Sequence, residues 1–202
     1  MNILLLATLA AAVATSNAGP TEFDFADPKG VNGMQIRLDT PLEPILGLAG
    51  GVRGRIRFDP TDPGATSSYV EVPVSAIHFV NPAMTRVAQG SEWFDAERHP
   101  VVRFEIRSAA VRSASQDGRH RLALNGEFEC RGVKRPLAIE VEAHYLSGRL
   151  GERVKGKTGD LLVLRGAFSV RRSEFGMKED PGFLLVADEV EVRFAVVGMA
   201  AR

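Results

Sequence analysis

Along nearly every extended segment of this chain, apolar and charged side chains alternate. In Val101–Arg107, Val102, Phe104 and Ile106 alternate with Arg103, Glu105 and Arg107. In Asp188–Val196, Val190, Val192, Phe194 and Val196 alternate with Glu189, Glu191 and Arg193. Successive side chains on a strand point to opposite faces, so each such segment has one dry face and one wet face. An antiparallel sheet can hide its dry face by curling into a barrel. No run of strand–helix–strand crossovers is visible, which argues against a parallel sheet. The pattern specifies an all-β fold with one dry face and leaves sandwich and barrel both open.

Extended segments are expected at about 20–26, 32–40, 50–59, 67–77, 100–112, 119–130, 135–146, 161–171 and 188–198. Turn chemistry separates them. Asp59-Pro60-Thr61-Asp62-Pro63-Gly64 reads as a loop, and Gln116-Asp117-Gly118 and Arg131-Gly132-Val133-Lys134 as hairpins. The Gly-rich, basic stretch Leu146–Gly159 reads as a longer, mobile connection. Asn81-Pro82 can start a helix running to about Gly90. A brief helical turn is expected at Ser173–Met177.

The 202 residues are 45% hydrophobic, enough for one core, and a chain of this length suits a single β domain. Lys and Arg together number 25 and so do Asp and Glu. Without a basic surplus, nucleic acid is not an expected partner. The pairs Lys134-Arg135 and Arg171-Arg172 read as solvated turn or strand-end charges. Ile3–Ala14 is apolar but shorter than the roughly 20 residues that span a bilayer. Ser16 and Ala18 stand where small residues precede a signal-peptidase cut. Residues 1–18 are therefore expected to be a signal peptide and 19–202 a single domain, periplasmic or secreted.

Among chemical motifs, the Gly-x-Ser-x-Gly elbow, the P-loop, the dinucleotide fingerprint and Cys-x-x-Cys are all missing. His78, His99, His120 and His144 are too scattered for a metal site and read as strand-end or surface residues. Glu140/Glu142 and Glu189/Glu191 fall on the wet parity, which suits a solvated wall better than acid–base work. Cys130, the lone thiol, shares the parity of Phe128 and reads as a small core residue. Phe104, Phe128, Phe168 and Phe194 fall on the dry parity of four different strands. They either fill a barrel or wall a cavity for an apolar ligand.

Five segments in order resemble the YceI-like family of periplasmic lipid- or polyisoprenoid-binding proteins. They are Arg53-Gly54-Arg55-Ile56-Arg57-Phe58-Asp59; Trp93-Phe94-Asp95 with Pro100; Leu124-Asn125-Gly126-Glu127-Phe128 with Arg131-Gly132-Val133-Lys134-Arg135-Pro136; Phe168 to Gly176 with its Arg-x-Glu-Phe-Gly turn; and Asp188-Glu189-Val190. The likeness spans about residues 21–198. Two segments depart from the family's pattern. Asp27-Pro28 runs into Lys29-Gly30-Val31 where a His-Ser pair is usual, and Met84–Gly90 lacks a His. Both segments are expected near the barrel mouth.

The resemblance implies an antiparallel lipocalin-like β-barrel of about eight strands with one short helix near 82–90. It implies an isoprenoid lipid, such as a polyprenyl or quinone tail, as the bound ligand, with no metal, no other cofactor and no catalysis. The expected apolar lining is Phe58, Val72, Phe104, Ile106, Leu124, Phe128, Ile139, Phe168 and Phe194. Transient membrane contact for loading and a homodimer are further expectations. The competing classes are a stress-related interaction module with a filled barrel, and an enzyme acting on a small apolar substrate through Cys130, a His or the carboxylates.

Overall fold

A computed structural model describes residues 19–40, 42–115, 117–178 and 185–202. The expected signal peptide, residues 1–18, lies outside the described residues, as does Gln116 of the expected turn. The strands are β1 (Thr21–Asp24), β2 (Gly33–Asp39), β3 (Pro44–Ala49), β4 (Arg53–Phe58), β5 (Ser67–Pro73), β6 (Ile77–Phe79), β7 (Val101–Ala114), β8 (Arg119–Cys130), β9 (Val133–Leu146), β10 (Gly159–Arg171) and β11 (Glu189–Ala201). Helix α1 covers Pro82–Gln89 and helix α2 covers Leu150–Arg153.

All pairings are antiparallel. Strands β1, β4, β5, β7, β8, β9, β10 and β11 run in that order, and β1 returns to β11 at Asp24↔Met199. This ring of eight is the expected closed barrel. The other half of β11, Glu191–Ala195, pairs with β2 instead, and β3 and β6 extend that branch. The edge of β11 is thus shared between a strand that closes the barrel and a three-stranded flap that leaves it.

Asn32 sits at the fork and is buried. Its side-chain amide donates to the carbonyls of Phe25 and Val197, each at 3.0 Å, and its Oδ1 accepts from the Val197 amide at 2.8 Å. A side chain here replaces the missing rungs of the ladder. Buried backbone groups need such partners.

The alternation is borne out on the walls. Inward positions of β4, β8, β9, β10 and β11 bury Ile56, Leu122, Leu124, Ile139, Val141, Leu162, Leu164 and Val196. Outside, cross-strand ion pairs lace the wall. Arg53 meets Glu71 at 2.8 Å, and Glu140 and Glu142 meet Arg112 and Arg119, each at 3.3 Å. The Arg131–Gly132 hairpin has φ of 52° and 72°, the left-handed turn that matches strand twist. Asn81 caps α1 by accepting the Ala83 amide at 2.9 Å, with Pro82 at the first helical position.

The two ends of the barrel differ. At one end a short 3-10 turn, Pro63–Ala65, the β7–β8 hairpin and the Leu146–Gly159 connection cover the lumen. Part of that connection, expected to be mobile throughout, folds into α2, with Leu150 buried and Arg153 paired to Asp27 at 2.8 Å. The Asp27 loop therefore packs at this closed end and not at the mouth as expected. Burial pushes the Asp27 carboxyl up, but the Val31 and Lys29 amides and Arg153 outweigh it and hold the group below the usual range. At the other end stand α1, the 90–100 loop and the segment entering β11.

His120 corrects a second expectation. It lies near the start of β8, but it points inward, is only 6% exposed and packs 5.8 Å from the Phe58 ring. Neither ring nitrogen has a partner among the described residues. Burial pushes its pKa down, against a smaller pull from Asp117.

Two predictions follow from these placements. Asn32→Ala strands three backbone groups and should lower unfolding stability by about 3 kcal/mol, read from urea denaturation. The unfolded imidazole titrates near 6.5, and the folded one lower. The unfolded state therefore binds the extra proton first, and the folded state loses stability as pH falls through and below about 6.5. His120→Leu should flatten the fall in Tm between about pH 7.5 and pH 5.5, measured by calorimetry.

Candidate functional site: an apolar tunnel

Three apolar chambers run in series from inside the barrel to its open end. The inner chamber, about 90 Å³, lies between inward residues of β4, β5 and β7–β11. The middle chamber is about 100 Å³ and shares Met34, Val72, Val102, Phe128 and Phe168 with the inner one. The outer chamber is about 330 Å³, shares Ile36, Phe94, Arg172, Met177 and Val190 with the middle one, and lies beneath α1. Its size falls at the lower end of the range for small-molecule pockets. The inner chamber offers water few polar partners, of which water needs two to four.

Of the nine residues expected to line the lumen, eight surround the inner chamber: Val72, Phe104, Ile106, Leu124, Phe128, Ile139, Phe168 and Phe194. Phe58 does not join them. It is fully buried at the closed end, 6.5 Å from the Phe23 ring and 6.3 Å from Tyr145. Its parity is inward as expected, but its height along the barrel puts it in the plug below the chamber.

Inward glycines keep the phenylalanines from filling the lumen. A Cβ on Gly126 would stand 2.9 Å from the Phe104 ring, and one on Gly166 2.7 Å from the Phe194 ring. Each ring therefore lies over bare backbone of a neighbouring strand, against the wall. Phe168 joins the two sides, 5.8 Å from Phe128 and 6.3 Å from Phe194, within the range of favourable aromatic pairing. Phe128 and Phe168, with Met34, Val72 and Val102, border both the inner and the middle chamber.

The outer chamber was not legible in the sequence as a site. Its wall comes from α1 (Ala83, Met84, Val87, Ala88), from Trp93 and Phe94, and from Leu185 and Val186. None of the α1 residues is fully buried, because the helix spans a void. Thr85 Oγ1 accepts the Phe79 amide at 2.9 Å and Gln89 donates to the Ile77 carbonyl at 3.3 Å, which ties the helix to the edge of β6. A polar residue on a helix can thus protect a sheet edge.

Arg172, expected to be a solvated charge, is 1% exposed and walls the two outer chambers. Its Nε donates to the Ala187 carbonyl at 2.9 Å and its Nη2 to the Val186 carbonyl at 2.8 Å. The guanidinium lies 5.0 Å from the centre of the Trp93 ring. Asp188 answers from the other side, accepting from the Ser173 amide and hydroxyl at 2.9 Å. This clamp fixes the segment entering β11 over the mouth. A buried charge needs such hydrogen bonds to be tolerable.

Cys130 borders the middle chamber. Burial pushes its thiol up to about 12, so it stays protonated at neutral pH and is a poor nucleophile. No cluster of three or more His, Cys, Asp or Glu suited to a metal occurs among the described residues. No described helix is long and apolar enough to cross a membrane. With so protected a thiol, a water-soluble disulfide reagent should label Cys130 only after denaturant unfolds the barrel; stoichiometric labelling of native protein within minutes would contradict this placement.

The family description "YceI-like domain" matches residues 34–198. Among solved structures, the chain is similar to BcnA of Burkholderia cenocepacia, with 18% identity, a TM-score of 0.65 and coverage of 82% of this chain and 95% of that one. It is similar to the Campylobacter jejuni YCEI protein at 16% identity and a TM-score of 0.61, over 77% and 85% of the two chains. A polyisoprenoid binding domain from Saccharophagus degradans, implicated in plant cell wall breakdown, is 6% identical with a TM-score of 0.61, over 90% and 99%. No curated protein matches by sequence.

Proposed function

This chain belongs to the YceI-like family, and on that premise we propose that it binds an isoprenoid-type lipid by threading the tail through the three chambers. The observation that carries this reading is the continuity of apolar wall from Leu185 at the mouth to Val141 and Leu164 deep in the barrel. Each methylene moved from water to such a wall gains about 0.8 kcal/mol, so a tail needs no polar contact to be held. The inner and middle chambers are small, about 90 and 100 Å³. A linear tail fits a path of that shape better than a rigid ring system does. The likeness to a polyisoprenoid binding domain supports the same ligand class.

In this reading the chain performs no chemistry. It carries the tail through an aqueous compartment, the periplasm or the exterior, behind a wall of ion pairs. The apolar, signal-like start of the sequence supports that location. The ligand takes the place of any cofactor.

Organic extracts of the protein purified from its native source should contain a polyprenyl or quinone lipid by mass spectrometry. Leu164→Phe fills part of the inner chamber and should shift the retained lipids toward shorter tails, while costing about 1–3 kcal/mol of stability. A lipid-free extract, together with no uptake of added isoprenoid, would overturn the reading.

A further inference from the structure

Large exposed apolar residues are distributed unevenly over the molecule. Eight occur among the described residues, and six of them, Leu42, Leu46, Leu48, Val80, Val87 and Leu185, lie on the flap and the rim of the open end. Leu42 is in the β2–β3 turn, 62% exposed. Val80, 83% exposed, follows β6 and is held beside β3 by its amide, which donates to the Leu46 carbonyl at 3.2 Å. Val87 and Leu185 both line the outer chamber. Leu46 and Leu48 add two more on β3 of the flap, beside Arg37, Gln35 and His78 of the neighbouring strands.

Scattered exposed leucines need no explanation, but a set gathered at one end of the molecule does. We propose that the open end docks on a lipid surface, with Leu42, Val80, Val87 and Leu185 entering the interface around the mouth. The proposal rests on the tail-binding reading and adds the source of the tail. Val87 and Leu185 also wall the outer chamber, and Leu42 and Val80 stand next in sequence to its lining residues Glu43 and Phe79, so a tail can pass from bilayer to lumen without crossing water. They ring a hole, and a protein partner would have to plug it. A bilayer fills it with acyl chain.

The charges nearby specify which lipid surface. Arg37 is paired with Asp39, Lys178 with Glu92 at 2.9 Å and Arg98 with Asp95 at 3.7 Å. Glu43 lines the mouth and Arg86 lies on α1. The rim is balanced, so attraction to anionic headgroups is not the driving force. Docking should occur on neutral phosphatidylcholine and persist at high salt, unlike binding through a basic patch.

Trp93 is the one tryptophan of the chain and walls the outer chamber. The wild-type protein should sediment with phosphatidylcholine vesicles at low and high salt, and vesicles of brominated phosphatidylcholine should quench Trp93 fluorescence. Leu42→Asp/Val80→Asp changes only exposed residues outside the chamber walls. It should weaken vesicle binding at least tenfold and slow transfer of geranylgeraniol from vesicles, while uptake of the same alcohol from detergent stays unchanged. No sedimentation and no quenching by wild type, or sedimentation of the double variant like wild type, overturns the docking. So does a dimer by analytical ultracentrifugation that the double variant abolishes, with vesicles ignored. Failure of wild type to take up geranylgeraniol from detergent would overturn the tail-binding reading, whether or not vesicles bind.

Discussion

The division of one strand edge governs this structure. β11 offers thirteen residues, but β1 takes only its far end and β2 takes the near half. Where β1 pairs, the cylinder shuts and aromatic rings fill it. Where β2 pairs, the sheet is led outward into β3 and β6, and the cylinder cannot close on itself. Asn32, immediately before β2, holds the fork by hydrogen-bonding to Phe25 just after β1 and to Val197 of β11. One closed end and one open end follow from that division, and with them the direction of the tunnel.

A barrel of eight strands leaves an interior that side chains can fill. Here four phenylalanines point inward and still leave space, because glycines in neighbouring strands give rings a place on the wall. The cost is lost dispersion contact across each void. That loss is tolerable because the remaining apolar positions, from Phe23 and Phe58 below to Ile36 and Leu38 in the flap, form one continuous core. Stability comes from the wall and the plug, and the lumen is free to hold something else.

Period-two alternation made the eight barrel strands legible, since each has one face in solvent. It failed for β3, whose Pro-Ile-Leu-Gly-Leu-Ala is apolar on both faces, and for the three-residue β6. Those strands build the flap, so the outer chamber was lost with them. Parity reports which way a side chain points but not its height along the barrel. This is why Val72 and Phe104 were placed at the chamber and Phe58 was misplaced into it. Arg172 and His120 escaped because charge and hydropathy predict solvent, while their burial depends on contacts distant in sequence. The Arg-x-Glu-Phe-Gly turn was the available signal that Arg172 had a fixed role.

The buried polar groups that border the two ends of the tunnel are held by the protein itself. Arg172 donates to the carbonyls of Val186 and Ala187, and Asp160 at the closed end accepts from Tyr145, Gly148 and Arg202 at 3.1, 2.8 and 2.6 Å. Cys130 is held as the thiol, and burial disfavours the charged form of His120. A ligand inside such a lumen meets shape and apolar contact, with little that could distinguish one functional group from another. Discrimination then falls to length and cross-section. A tail longer than the distance from the mouth to the Phe23–Phe58–Tyr145 plug must leave its end outside, and a group too bulky for the small inner and middle chambers must stop in the larger outer one. In the proposed lipid-binding reading a head group rests at the rim, among Glu43, Arg86 and the Trp93 loop, and selectivity for its chemistry arises there.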